Sequence, residues 1–425
     1  MRVLRSPGFR LLLAGQAVNA IGNWVALIAI WGFAAFRFDA GAGDLALLFV
    51  ILSLPGVLLG PLLGVPIDRL GPRRTLILAN ALGLVDALAL TQADTYGWII
   101  GLALPLGLIE ALASASLDAL PPRLFDDAEL LSANAVLAGA QDLAVVVGPL
   151  LAAVVNARWG LPGAFFADAV TFGVGLAVVL PLTLGPAGGP SGASAWRELR
   201  EGVGLVRASS GLRWTLGVAA TTYALWAMFG VLAPLYVREV LGRSDTVFAM
   251  LQAVFGLGLV GAGLALVGLG DRVARPVWVA TATIVSGATA ALYLGTRSVV
   301  VAFIGVFLWG VDVAFFYAPA KTLLQRYAPM PAHGRVLSLN QSLEPLAGLV
   351  MAPAVALGAG VLGLRQLGVV GGAVAAVAGL VALRLARRLP PPPPAGPVDP
   401  KAGNARDAVA QGSPAPGSPR LRSWA

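Results

Sequence analysis

Long apolar runs, separated by short polar or charged segments, follow one another along most of the chain. A helix that crosses the hydrocarbon core of a bilayer needs about 20 consecutive, mainly apolar residues. By that measure we count about twelve predicted spans. They cover residues 11–35, 45–66, 75–91, 97–119, 133–156, 162–183, 213–236, 246–268, 276–294, 298–319, 340–361 and 366–385. The pattern therefore predicts an all-α membrane protein with twelve transmembrane helices.

Composition and charge agree with this class. Of 425 residues, 58% are hydrophobic and only 12% are charged, with a mean hydropathy of +0.83, whereas soluble domains carry roughly 25% charged residues. Cysteine is absent, which excludes disulfides and thiol catalysis. With twelve spans, most of the 29 lysines and arginines lie in loops on the same side of the membrane as the N-terminus. The exceptions are Arg37, Arg158, Arg238, Arg243, Arg297 and Arg365. The positive-inside rule then predicts that both termini are cytoplasmic.

Two short strings recur and indicate a duplicated unit. Asp68-Arg69 returns as Asp271-Arg272, 203 residues later, and Leu131-Ser132-x-Asn134 returns as Leu337-Ser338-x-Asn340, 206 residues later. We therefore predict two pseudo-symmetric six-helix halves. The predicted domains are the N-terminal half over 1–184, a cytoplasmic linker over 185–212, the C-terminal half over 213–388 and a disordered cytoplasmic tail over 389–425.

The linker and the tail have distinct compositions. Residues 185–195 are rich in glycine, proline and serine, which predicts a flexible segment. Beyond them, Trp196, Leu199, Val203 and Val206 recur at helical spacing. This predicts an amphipathic helix on the cytoplasmic membrane surface, with a short soluble linker helix as the alternative. The tail from Pro390 onwards is rich in proline, glycine and alanine, which is typical of disorder.

A charged segment between the second and third predicted spans has the sequence GVPIDRLGPRR and begins at Gly64. Charge is costly inside a bilayer, so we predict a turn that faces water. An ordinary positive-inside hairpin is the alternative, but it requires neither the acid nor the glycines. The string resembles the G-x-x-x-D-R-x-G-R-R signature of the major facilitator superfamily; the matching residues are Gly64, Asp68, Arg69, Gly71, Arg73 and Arg74. The resemblance implies a major facilitator fold with a conformational gate at these residues, and with Asp271 and Arg272 as their counterparts.

The start of the chain also resembles a subgroup of that superfamily. The strings FRLLLAGQ from Phe9 and IGN from Ile21 resemble the opening of bacterial exporters of drugs, macrolides and siderophores such as enterobactin. In helix 5, Gly148-Pro149 matches a pattern common in exporters, but Ala144, Ala152 and Ala153 stand where glycines are usual. Small residues still allow close helix packing at these positions.

Several acids fall inside predicted spans, where each is costly and marks a functional hypothesis. They are Asp86, Glu110, Asp142, Asp168 and Asp312. The resemblance implies that spans 1, 4, 7 and 10 line a central cavity, so we predict proton coupling by Glu110, with Asp312 and Asp142 as further carriers. Glu110 and Asp312 are 202 residues apart, close to the repeat offset. The alternative is a protonated acid that bonds a neighbouring helix, and we expect structural roles for Asp86 and Asp168.

Polar and aromatic residues of spans 1 and 7 are candidates for the substrate cavity. We predict that Asn19, Asn23, Tyr223 and Trp226 line it, with plain packing as the alternative for the aromatic pair. Glu344 falls near the predicted start of span 11, where an acid complements the helix dipole, so we interpret it as a cap.

Motifs for enzymatic chemistry are missing from the sequence. We find no G-x-x-x-x-G-K-[ST], no H-E-x-x-H and no G-x-S-x-G. We therefore predict no enzyme, no cofactor and no metal, but a monomeric carrier of the bacterial inner membrane. It would export a bulky amphipathic molecule, drug-like or siderophore-like, in exchange for protons by alternating access. An importer or uniporter, or a transport-inactive membrane sensor or scaffold, is the alternative.

Overall fold

The computed structural model describes residues 3–59, 63–125, 127–182, 195–329 and 332–392. All regular elements within these ranges are helical, which confirms the predicted all-α class. Most of the predicted flexible linker and of the predicted tail lies outside the described residues.

The first half begins with α1, which is capped by the Ser6 hydroxyl at the amide of Phe9. The helices are α1 (Pro7–Gly32), α2 (Ala42–Leu59), α3 (Gly64–Leu70), α4 (Pro72–Leu90), α5 (Tyr96–Asp118), α6 (Pro121–Leu124) and α7 (Asp127–Val179). The predicted spans 133–156 and 162–183 are joined in α7, where only Gly160 departs from helical geometry, with φ 68° and ψ −176°. Glycine adopts this conformation readily. This single residue separates the fifth and sixth predicted spans.

The linker contains one helix, α8 (Ala195–Ala208), and the second half follows it. The helices of the second half are α9 (Ser210–Leu235), α10 (Asp245–Leu269), α11 (Pro276–Gly295), α12 (Val299–Tyr327), α13 (His333–Leu362) and α14 (Leu364–Ala386). An ion pair of 3.3 Å between Arg335 and Glu201 joins α13 to α8. Gly287 and Gly372 bring α11 and α14 so close that a Cβ at Gly287 would lie 2.3 Å from the Gly372 carbonyl oxygen.

Ten helices of the described chain are long and apolar enough to cross a membrane. They account for all predicted spans except the third and the fifth. The third coincides with α4, whose mean hydropathy is lowered by Arg73, Arg74 and Asp86. The fifth coincides with the part of α7 before Gly160, which begins with charged residues. The multi-pass fold is thus confirmed, and the two further spans stay predictions.

The internal repeat is visible where the first helix of each half ends. α1 continues into a π-helical turn over Phe33–Arg37, and α9 continues into one over Tyr236–Val240, at the same offset of 203 residues. Each turn is followed by a residue with positive φ, Asp39 at 49° and Gly242 at 59°. Two halves that share this irregular ending are related by the predicted pseudo-symmetry.

The bundle has two ends, which we call the Gly71 end and the Arg238 end after one residue at each. The buried apolar cluster that includes residues of both halves lies towards the Arg238 end, and contains Trp31, Leu48, Phe229 and Phe248. The other clusters of described buried residues each stay within one half. The halves are therefore packed together at the Arg238 end, and their described cores are separate at the Gly71 end.

Candidate functional site

Glu110 lies in the second half of α5 and is half-buried. The side-chain amide of Asn23 on α1 donates a hydrogen bond of 2.8 Å to Glu110 Oε2. The other polar atom of that amide, Oδ1, has no partner among the described atoms. An amide can donate to a carboxylate and, after rotation, accept from a carboxylic acid. Asn23 is thus equipped to bond Glu110 in either protonation state.

A second acid reaches the same stretch of α1 from α7. Asp168 is 1% exposed, and a Cβ added at Gly22 would lie 2.8 Å from its Oδ1. The hydroxyl of Thr171 donates to Asp168 Oδ1 at 3.3 Å. Glu110 and Asp86 both lie within electrostatic range of Asp168. The sequence predicted a structural role for Asp168 but not its neighbour: Gly22, next to Asn23, is the small residue that lets α7 bring this acid close to α1.

These acids do not form a metal centre in the described part of the chain, where no group of three potential ligands is close enough to hold an ion. Asp86 is 5% exposed, and its Oδ2 has no hydrogen-bond partner among the described atoms. The arrangement is a set of separate carboxyl groups, carried by α4, α5 and α7.

Asp312 has different surroundings. It is 3% exposed and accepts a hydrogen bond from the Ser286 hydroxyl on α11. This bond stays inside the second half, between the ninth and tenth predicted spans. The structure thus places Asp312 against α11, and its predicted role as a second proton carrier stays a prediction. The side chain of Asp142, the third predicted carrier, lies outside the described residues.

Asn19 faces the interior of the first half. It is 4% exposed, and its Oδ1 lacks a hydrogen-bond partner among the described atoms. Together with Gln16, Asn80 and Gly175 it lines a small cavity between α1, α4 and α7, about the size of one water molecule. The predicted cavity residues Asn19 and Asn23 are thus divided between this interior space and Glu110.

The aromatic pair predicted for the cavity belongs to a cluster of three rings on α9 and α12. Trp226 packs against Tyr223 and Phe316, with ring centroids 5.4 and 5.6 Å apart. The Tyr223 hydroxyl accepts from Asn340 Nδ2 at 3.1 Å, so its polar end is satisfied. Trp226 is half-buried, and its indole Nε1 has no partner among the described atoms. We call Tyr223, Trp226 and Phe316 the aromatic shelf.

The charged signature forms α3 and the turn into α4. Gly71 has φ 82° and ψ 147°, a conformation that L-residues rarely adopt, which explains the glycine. Arg73 donates to the carbonyl oxygens of Val179, at 3.3 Å, and Leu180, so it ties this turn to the end of α7. Arg69, Arg74 and Arg272 are exposed, whereas the side chains of Gly64, Asp68 and Asp271 lie outside the described residues. The role of these residues as a conformational gate stays a prediction.

Sequence reasoning missed the polar contacts that join the halves at the Arg238 end. Arg238, in the second π-helical turn, donates to the carbonyl oxygen of Ala35 in the first turn and lies 3.6 Å from the carboxylate of Asp39. Nearby, Asn156 Nδ2 donates to Asp245 Oδ2 at 3.4 Å, between α7 and α10. Ala35 and Arg238 are one repeat offset apart, a signal already present in the sequence.

The helices and their two-half arrangement define a multi-pass membrane transporter fold. Residues 12–242 and 215–418 match the sequence profile of the Major Facilitator Superfamily, and the chain belongs to that superfamily. It is 25% identical over 357 residues to Macrolide efflux protein A of Streptococcus pyogenes, covering 81% of this chain and 88% of that protein. It is 28% identical over 372 residues to Multidrug efflux pump Tap of Mycobacterium tuberculosis (strain ATCC 25618 / H37Rv), covering 81% and 85%.

Solved structures support the same fold. A bacterial homologue of the human lysosomal transporter Spinster, in an inward-facing and unoccupied conformation, matches with a TM-score of 0.69 at 16% identity and covers 90% of this chain and 98% of its own. A D-xylose-proton symporter matches with a TM-score of 0.69 at 14% identity, with the same coverage. These findings confirm the predicted resemblance to drug exporters and the prediction of a transporter rather than an enzyme.

Proposed function

We propose that this chain exports a bulky amphipathic small molecule in exchange for protons, by alternating access across the bacterial cytoplasmic membrane. The hydrogen bond between Asn23 and Glu110 carries the proposal. It places an ionisable group on an inner helix, half-buried and without a basic partner among the described residues. Such a group in a membrane protein is a default candidate for proton coupling.

The distribution of charge supports the orientation. Arg73, Arg74 and Arg335 lie at the Gly71 end, which we assign to the cytoplasm together with both termini. The halves then meet on the outer side and are open to the cytoplasm. Uptake of a substrate from the cytoplasm or the inner leaflet requires such a state.

Coupling follows from competition at Glu110. With the Gly71 end open, Glu110 loses its proton to the cytoplasm, and Asn23 bonds the carboxylate. A substrate that stabilises the charged form then occupies the cavity. After the halves rock, Glu110 meets the outer medium and is protonated, which weakens substrate binding and lets the empty carrier return. One site that holds either substrate or proton is the minimal requirement for exchange.

The charged signature and the domain limits complete the proposal. Asp68, with Arg69 and Arg73, closes the Gly71 end when the carrier turns outward, and Asp271 and Arg272 do so less strongly. The two halves, 1–184 and 213–388, move as units around the linker, and the protein acts as a monomer. Macrolides are a first substrate class to test, because a relative is named for their efflux.

The test is transport in proteoliposomes with an imposed pH gradient and radiolabelled erythromycin. We expect wild-type protein to move erythromycin against its gradient. In Glu110→Gln this rate should be at least about tenfold lower, while movement of erythromycin down its gradient persists. Asp312→Asn is the matched control, since it removes an acid at the equivalent place. Equal pH-driven rates in wild type and Glu110→Gln would refute the proposal.

A further inference from the structure

Glu344 lies well inside the membrane-spanning part of α13. This helix begins at His333, so Glu344 is about 16 Å past its start at 1.5 Å per residue. The interpretation of Glu344 as a helix cap is therefore wrong. It failed because the first polar turns of α13, which carry Arg335, were assigned to a loop. A charge at this depth requires water or a partner.

The face of α13 that carries Glu344 is turned away from lipid. The most exposed apolar residues of this helix are Val350, Leu357 and Val361, at 72%, 76% and 84%. At 100° per residue, Glu344 lies roughly 120° from these residues around the helix axis. One turn further on, Gly348 faces the other half, since a Cβ there would lie 2.0 Å from Phe49 of α2. Glu344 is exposed, so it faces the opening between the halves, on the Gly71 side of this contact.

The aromatic shelf lies beside this carboxyl. Leu343 and Ala347, one residue before and three after Glu344, pack against the same buried apolar cluster as Trp226, and that cluster contains Tyr223. Asn340, one turn before Glu344, holds the Tyr223 hydroxyl. The Glu344 carboxyl lies within electrostatic range of that hydroxyl. The neighbours of this acid along α13 thus share a cluster with Trp226, a half-buried indole ring.

The Glu344 carboxyl forms no hydrogen bond or ion pair with any residue of the described chain. The exposed acids Glu239 and Glu201, by contrast, pair with Arg238 and Arg335. An acid at membrane depth that faces an opening, and that pairs with no cation of the described chain, is suited to bind a cation from outside. The face of an accessible aromatic ring such as Trp226 adds to that attraction for organic cations.

We propose that Glu344 and Trp226, whose ring packs on the buried rings of Tyr223 and Phe316, form a subsite that selects organic cations with an apolar or aromatic body. The proposal rests on the proposed transport function and assigns it a substrate class. Glu344 supplies the charge, and Trp226 supplies the apolar contact. Glu110, in the other half, still exchanges the bound substrate for a proton, as in the proposed function.

Two ions of nearly the same shape and opposite charge test this: tetraphenylphosphonium and tetraphenylborate. Each is titrated calorimetrically into the purified full chain in uncharged detergent. We expect wild-type protein to prefer the cation, and Glu344→Gln to weaken cation binding by about tenfold, equivalent to about 1.4 kcal/mol, without weakening anion binding. Glu344→Asp should keep part of the preference. Asp94→Asn, which removes an exposed acid at the Arg238 end, should leave both affinities unchanged.

Proton release in the same titrations separates this inference from the proposed function. If coupling is wrong but the subsite is right, the wild type releases no protons, and the charge preference still depends on Glu344. An unchanged preference in Glu344→Gln, or an equal loss for both ions, overturns the subsite whether or not protons are released.

Discussion

Glu110 and Asp312 occupy nearly equivalent places in the two halves, but they contact different helices. Glu110 bonds Asn23 on α1, the first span of its half. Asp312 bonds Ser286 on α11, the third span of its half, and is almost fully buried. Duplication has thus kept the place of the acid while its surroundings differ. The two acids therefore differ in their surroundings rather than in their position in the repeat.

The two halves also differ at the position of Asn23. One repeat offset after Asn23 stands Trp226, so the second half has an indole ring where the first half has an amide. The amide is suited to bond a carboxyl group in both protonation states, and the ring is suited to an apolar or cationic ligand. We infer that the first half handles the proton and the second half contributes most of the substrate contact.

The largest expected difference concerns the donors to the two acids. Asn23→Leu keeps the size of the side chain but removes the hydrogen bond to Glu110. A hydrogen bond to a charged group contributes about 1.5–3 kcal/mol. We therefore expect the rate of pH-driven erythromycin transport to fall about tenfold or more. Ser286→Ala removes the bond to Asp312 and should leave that rate within about twofold. Proteoliposome transport measures both. Similar losses in the two variants would remove the distinction between the halves.

The second prediction concerns the close approach of α7 to α1. In Gly22→Ala the new Cβ would lie 1.9 Å from Thr171 Oγ1 and 2.8 Å from Asp168 Oδ1. Overpacking of this kind costs about 1–3 kcal/mol, so we expect a lower midpoint in a thermal aggregation assay. Gly217→Ala in α9, where nothing lies within 4 Å, is the control and should be neutral or stabilising. An unchanged midpoint for Gly22→Ala would show that the two helices are not closely packed here.

The third prediction concerns the polar contacts at the Arg238 end. Arg238→Gln removes the bond to Ala35 and the ion pair to Asp39, so this end should open more often. Because the chain has no cysteine, Ala249→Cys, a buried position beside Asn156 and Asp245, reports the opening. We expect labelling by an impermeant maleimide from the outer side to rise about fivefold, equivalent to about 1 kcal/mol.

Arg243→Gln provides the control for that experiment. Arg243 is exposed in the same loop, and its side chain forms no hydrogen bond within the described chain. Its removal should leave labelling unchanged. Equal labelling in the Arg238 and Arg243 variants would mean that Arg238 does not hold this end closed.

The smallest expected effect compares the turns at the Gly71 end. Gly71→Ala places a Cβ on a residue with φ 82° and should lower stability by about 1–2 kcal/mol. In the second half the matching residue is Ala274, which has no positive φ, so Ala274→Gly should cost below about 1 kcal/mol. Urea unfolding of the purified variants measures both. The reverse order would contradict the assignment of the strained turn to the first half alone.

Much of the fold could be predicted from the sequence, because long apolar runs allow few structures other than membrane helices. Gly71 was also predictable, since the charged signature requires a tight turn. The start of α13 was not: Arg335 pairs with Glu201 of α8, so a polar helical turn extends beyond the apolar run. That one shift moved Glu344 from a helix end to the membrane interior.

The surroundings of the acids were harder to predict from the sequence than the fold. Span number and repeat offset grouped Glu110 with Asp312, because neither reveals the helix that each acid faces. Ser286 carries no signal that would single it out as a partner. A structural role was expected for Asp168, but the sequence did not reveal that Gly22 allows this acid to approach α1. The π-helical turns that bring Arg238 to Ala35 also have no recognised sequence pattern.

The most direct test of the central claim, that Glu110 carries the coupling proton, is proton release on addition of erythromycin to the detergent-purified protein across a pH series. We predict release from the wild type and from Asp312→Asn, and none from Glu110→Gln. Release that persists unchanged in Glu110→Gln would contradict the account and move the coupling proton to another acid.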